Sequence, residues 1–153
     1  MSKIDVSLIT KLREESGAPV IRVKKVLDEV NGNAEKALEI LKAEGFAKVE
    51  KRAGRETEKG IIATYTHHTG NIAVLVELLC ETDFVARNEM FIELGRNIAM
   101  QVSFSDPKDT DELLKQEFIK DPSKKIEDLI KEVIAKTGEN TRLGRFSRLE
   151  IGK

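Results

Sequence analysis

Apolar residues recur at two periods along this chain, and the change falls near residue 60. From Asp5 to about Glu44 the spacing is helical and predicts three short helices. Leu8, Ile9 and Leu12 mark the first, with Asp5 placed to cap its start. Ser16-Gly17-Ala18-Pro19 breaks the chain, and Pro19 suits the first residue of the next helix, where a missing N–H costs nothing. Val20, Val23, Leu27 and Val30 form the inner stripe of that second helix. Asn31-Gly32-Asn33 reads as a turn with Asn33 as the next cap. The third helix buries Ala34, Ala37, Leu38 and Leu41, and Gly45 is expected to end it in a left-handed cap, with Phe46 folding back on Leu41.

Residues 48–60 have few apolar anchors. Lys48, Lys51, Arg52, Arg55 and Lys59 alternate with Glu50, Glu56 and Glu58, which reads as a solvated linker or an exposed helix at a domain boundary. From Ile61 the period drops to two. Ile61–Thr66 reads as a strand, His67–Asn71 as a turn, and Ile72, Val74, Val76, Leu78 and Cys80 as one face of a second strand, together a β-hairpin. A helix follows from about Asn88 to Val102, amphipathic through Phe91, Leu94, Ile98 and Val102. Gly95 and Ala99 allow it close packing. Two Pro-containing acidic stretches, Ser105-Asp106-Pro107 and Asp121-Pro122-Ser123, flank a short helix over Asp111 to Phe118. Ile126, Leu129, Ile130, Val133 and Ile134 predict a strong helix ended by Gly138, and Thr141 to Ile151 alternates as a third strand. The fold class expected is α+β. It divides into a helical module over 1–47, a charged linker over 48–60 and a sheet-and-helix core over 61–153.

Composition narrows the function. The formal net charge is only −1 despite 35% charged residues, so the chain is not built chiefly to neutralise phosphate. The single Cys80 excludes an internal disulfide and fits a cytoplasmic setting. No stretch approaches the roughly 20 apolar residues of a membrane span. Met1-Ser2-Lys3-Ile4-Asp5 lacks the apolar run of a signal peptide.

Candidate catalytic chemistry is thin. The sequence carries no nucleophile elbow and no phosphate-binding glycine loop. Cys80 with His67 or His68 invites a Cys–His or metal reading. However, Cys80 continues the apolar face of its strand, and adjacent histidines on an extended segment point opposite ways. No cofactor, no metal site and no enzyme activity are expected. Direct nucleic-acid binding through residues 48–59 or Arg142, Arg145 and Arg148 is disfavoured, because the aromatic interleaving of a single-strand binder is absent. Ile21 stands about 140° off its helix's inner stripe, as a docking anchor or a lone exposed aliphatic residue. Thr82-Asp83-Phe84-Val85-Ala86 occupies a strand–helix junction, where binding groups are often displayed. Phe84 is either a displayed wedge or, seven residues before Phe91, a member of the buried stripe. Spacing leaves both open.

Three blocks carry a family resemblance. Leu12-Arg13-Glu14-Glu15-Ser16-Gly17-Ala18 with Lys24-Lys25-Val26-Leu27, then Cys80-Glu81-Thr82-Asp83-Phe84-Val85-Ala86-Arg87-Asn88, then Gly138-Glu139-Asn140 with Arg145-Phe146, resemble the elongation factor Ts family. The match is to the short bacterial form and spans the chain in order. The resemblance implies a ubiquitin-associated-like three-helix module ahead of a core built on a three-stranded antiparallel sheet. It implies guanine-nucleotide exchange on elongation factor Tu, GDP-bound or nucleotide-free, during translation. It also implies contact residues: Arg13, Val20 and Ile21 on the helical module, and Thr82, Asp83, Phe84 and Val85 at the junction, with Phe84 the wedge that disturbs the partner's Mg²⁺ and phosphate site. The chain departs from many members at Arg22-Val23, where they have Asp-Cys, at Pro19, where Gly is usual, and in ending at Lys153 without a second core subdomain. The last departure predicts a homodimer through the core, with Phe146 and Leu149 as contact candidates on opposite faces of the last strand. The rival functions are a protein-interaction adaptor and an RNA-binding accessory protein of translation.

Overall fold

The computed structural model describes residues 4–153; Met1 to Lys3, which the sequence reading includes in the helical module, lie outside the described residues. Three helices come first: α1 (Val6–Ser16), α2 (Val20–Glu29) and α3 (Ala34–Arg52). Their starts follow local chemistry. Asp5 accepts the Ser7 N–H and Asn33 accepts the Lys36 N–H, satisfying amide donors that a helix start leaves unpaired. Pro19 sits at the N-cap of α2, one residue earlier than expected. Gly17 ends α1 at φ 71°, a conformation glycine adopts without the Cβ clash. Ile9, Leu12, Val23, Val26, Leu27, Ala37 and Leu41 close one small core.

The expected stop at Gly45 is not there. Gly45 is helical, and α3 runs on to Arg52, through the first part of the segment read as a linker or an exposed helix. The cause is tertiary. Helix α7 (Ile126–Thr137) lies against α3, and a Cβ built on Gly45 would sit 3.3 Å from the Ala135 Cβ. Glycine here permits close helix–helix approach instead of terminating the helix. Phe46 lines a crevice with Glu132, Ala135 and Lys136 of α7. Val49 on the same helix joins the second, larger core, so α3 serves both hydrophobic clusters.

That second core is a three-stranded antiparallel sheet covered on one face by helices. Strands β1 (Lys59–Thr66), β2 (Ile72–Cys80) and β5 (Thr141–Glu150) lie in the order β1-β2-β5. Ala63, Val74, Val76, Leu78, Cys80 and Leu143 point inward against Phe91, Leu94, Ile98 and Val102 of α5 (Glu89–Ser105). Gly95 makes that contact possible: a Cβ there would lie 2.8 Å from the Ala63 Cβ. The fold class is α+β, as expected, with the three-stranded sheet in place.

Between α5 and α7 stand a short α6 (Thr110–Lys115) and a small hairpin of β3 (Glu117–Phe118) and β4 (Asp121–Lys125). The sequence reading had a helix through Phe118 and no second sheet. Gln101, fully buried on α5, organises this region. Its amide nitrogen donates to the Gln116 Oε1 and to the Glu117 carbonyl, both at 3.1 Å, and its Oε1 accepts the Ile119 N–H at 3.0 Å.

Candidate partner-binding site

Strand β2 delivers Cys80, fully buried, to the edge of the core, and the chain then bends at Glu81. Thr82 is the N-cap of a single helical turn, α4 (Asp83–Ala86); its hydroxyl accepts the Val85 N–H at 3.4 Å. The turn stops at once. Asn88 caps α5 afresh by accepting the Met90 N–H at 2.8 Å. Phe84 and Phe91 therefore belong to two separate helices, and the seven-residue spacing carries no shared face. Phe91 is fully buried and Phe84 is 84% exposed. Asp83 and Thr82 are exposed beside it, while Val85, at 5%, is turned into the core. Val85 thus corrects the expectation of a surface contact for that side chain: it anchors the turn from behind.

Thr82 is held on every side. Its N–H donates to the Glu139 Oε1 at 3.0 Å and its hydroxyl to the Glu139 Oε2 at 2.7 Å. Its carbonyl accepts the Ala86 N–H at 3.2 Å and the Cys80 thiol at 3.2 Å. Burial, joined by the negative charge of Glu139, pushes the Cys80 thiol above its ordinary range, so the thiol stays protonated and donates. Cys80 and the histidines do not meet. His67 lies at the hairpin tip, where its N–H donates to the Ile72 carbonyl at the far end of β2, and its Nδ1 lies 2.7 Å from the Thr69 hydroxyl. Among the described residues no cluster of three His, Cys, Asp or Glu side chains is arranged to hold a metal.

The module's contact candidates form a second region. Arg13 lies in the last turn of α1, and Val20 and Ile21 open α2 across the Gly17 turn. All three are exposed, Ile21 at 83%. The departure at Arg22-Val23 has a local cause. Val23 is fully buried in the module core, and Arg22 forms a fork on Glu44 of α3 with a further contact to Glu29 at 3.3 Å. The hydrogen bond from Arg22 holds the Glu44 carboxyl below its ordinary range.

Five arginines that raised the RNA reading, Arg52, Arg55, Arg142, Arg145 and Arg148, are engaged within the fold. Arg52 donates to the Ile134 carbonyl at 3.2 Å and Arg55 contacts Glu81 at 3.6 Å. Arg145 pairs with Glu77 at 3.1 Å, Arg148 with Glu150 at 2.8 Å, and Arg142 donates to the Thr57 hydroxyl at 3.2 Å.

The fold and the exposed residues define an α+β protein that presents apolar side chains from two separate elements. The sequence model of the family described as Elongation factor TS matches residues 81–153. Elongation factor Ts of Thermotoga sp. (strain RQ2) is 42% identical over 194 aligned residues, covering 99% of this chain and 98% of that protein. The Thermotoga neapolitana protein of the same name matches equally, at 42%. Elongation factor Ts of Clostridium botulinum (strain Okra / Type B1) is 41% identical over 150 residues, 98% of this chain but 49% of its own length. The chain belongs to the elongation factor Ts family and is thereby a translation elongation factor. The Thermotoga alignment is longer than the chain itself, so those relatives carry residues that this chain lacks.

Proposed function

We propose that this protein binds elongation factor Tu in the cytoplasm and promotes release of its GDP, without catalysing a covalent step. The observation that carries the reading is Phe84, a large apolar side chain standing 84% exposed on a turn anchored by Thr82 at its start and by the buried Val85 and Ala86 behind it. An aromatic ring left in water on a rigid element is unfavourable alone and favourable against a partner. Arg13, Val20 and Ile21 supply the second contact, through the helical module.

The mechanism is displacement. Mg²⁺ and backbone N–H groups of a phosphate-binding loop hold GDP in a GTPase. A wedge that shifts those elements weakens GDP without occupying its pocket. Linkage then requires GDP to weaken the factor's own binding by the same ratio. Asp83 beside Phe84 brings negative charge toward a site organised around a cation, which works in the same direction. The core is also proposed to pair with a second copy of itself, through the sheet face that no helix among the described residues covers.

The test is stopped-flow release of a fluorescent GDP from elongation factor Tu. Addition of this protein accelerates release in proportion to its concentration until saturation. A release rate that does not respond to the protein overturns the reading.

A further inference from the structure

One two-residue segment, Glu139-Asn140, where α7 passes into β5, ties the Thr82 turn to the chain just beyond α3. Both carboxylate oxygens of Glu139 are engaged by Thr82, one by its N–H and one by its hydroxyl. Asn140, which is buried, works in the other direction. Its N–H donates to the Glu81 Oε1 at 2.7 Å. Its side-chain amide donates to the Arg55 carbonyl at 2.9 Å and the Ala53 carbonyl at 3.4 Å, just beyond α3. Arg55 closes the loop with Glu81. The segment that holds Thr82 thus also holds the end of the helix that runs back into the module.

A turn of four residues has no stability of its own, because helix nucleation is unfavourable. The direction of Phe84 is therefore inherited from its N-cap and from Val85 and Ala86 buried behind it. Among the described residues, Glu139 is the side chain outside the 80–88 segment that bonds the N-cap. We propose that Glu139 is a positioning residue for exchange: by clamping Thr82 it fixes the direction of Phe84 before the partner arrives. A preset wedge delivers its contact without losing ordering entropy at the encounter, so the effect falls on the release step and less on docking. Glu139 itself touches neither nucleotide nor partner in this account. The inference rests on the reading of Phe84 as the exchange wedge.

The experiment measures GDP release from elongation factor Tu across a concentration series of this protein. It separates the maximal release rate from the half-saturating concentration. Four proteins are compared with the wild type: Glu139→Ala, Thr82→Val, Phe84→Ala, and Glu139→Ala combined with Phe84→Ala. Melting temperatures accompany each. Glu139→Ala is expected to lower the maximal rate by about tenfold, the scale of coupling between contacting residues, with a much smaller change in half-saturation. Thr82→Val keeps the side-chain shape and lowers the maximal rate in the same direction, which carries the test should Glu139→Ala fail to fold. With Phe84 already Ala, loss of Glu139 should slow release no further. Equal slowing in both backgrounds overturns the proposal, as does a folded Glu139→Ala protein with the wild-type maximal rate. A Phe84→Ala protein that exchanges at the wild-type rate removes the wedge reading itself, and the positioning role with it.

Discussion

Ile21 is 83% exposed on a helix whose Val23, Val26 and Leu27 are fully buried. Its spacing off the stripe was legible in the sequence; what it is exposed for was not. Ile21→Glu is expected to leave the melting temperature within about 2 °C, since the new charge stays solvated in the free protein. The same change should weaken binding to nucleotide-free elongation factor Tu by about tenfold or more, because the charge is desolvated without a partner at a contact centre. Calorimetric titration checks this, and unchanged affinity would make Ile21 an ordinary surface residue. Phe84 shows the limit of spacing. Its distance from Phe91 suited a shared helical face, and only the fresh cap at Asn88 separates the two. That Asn was visible in the sequence, but a cap competes with helix continuation, and tertiary anchoring of Thr82 by a residue 57 positions away decides the outcome. The Gly138-Glu139-Asn140 block marks the segment by resemblance, but no local pattern ties Glu139 to Thr82.

At the scale of elements, the strands of the three-stranded sheet were legible from their alternation, and α5 and α7 from a strong apolar period with Asn88 capping the start of one and Gly138 the end of the other. Two elements were not. The extension of α3 past Gly45 depends on α7 packing against it, a contact between residues far apart in sequence. The β3–β4 hairpin has almost no apolar pattern, since Asp121–Lys125 is polar apart from Pro122, and its position against α5 rests on Gln101. Gln101→Leu removes three hydrogen bonds while preserving side-chain bulk. Each buried group left unpaired costs about 1–3 kcal/mol, so the variant should unfold at distinctly lower denaturant concentration. Amide exchange at Ile119 should accelerate more than at Ile98. Uniform acceleration would mean that Gln101 supports the core as a whole and not the hairpin.

At the scale of the whole molecule, helices cover one face of the sheet and leave the other open. Ile62, Leu75 and Leu149 are exposed there, with the Glu77–Arg145 pair beside them, and no described element packs over them. The hydrogen bond from Arg145 holds the Glu77 carboxyl below its ordinary range. Leu149 is on this open face, whereas Phe146, opposite Val76, is turned toward the core, so of the two Leu149 is the contact candidate. An apolar sheet face of this kind favours a two-fold partner. Sedimentation equilibrium should show a reversible dimer at tens of micromolar or below, and Leu149→Arg should shift the protein to monomer. A wild-type protein that stays monomeric throughout that range would remove the dimer from the account. The role proposed for the anchored, exposed Phe84 is to drive GDP out of elongation factor Tu. It is tested most directly by stopped-flow GDP release with Phe84→Ala beside the wild type, at equal folded concentration. The account predicts an unchanged melting temperature and a maximal release rate lowered by about tenfold or more, within the range of hot-spot truncations. An unchanged maximal rate from the folded variant would contradict it.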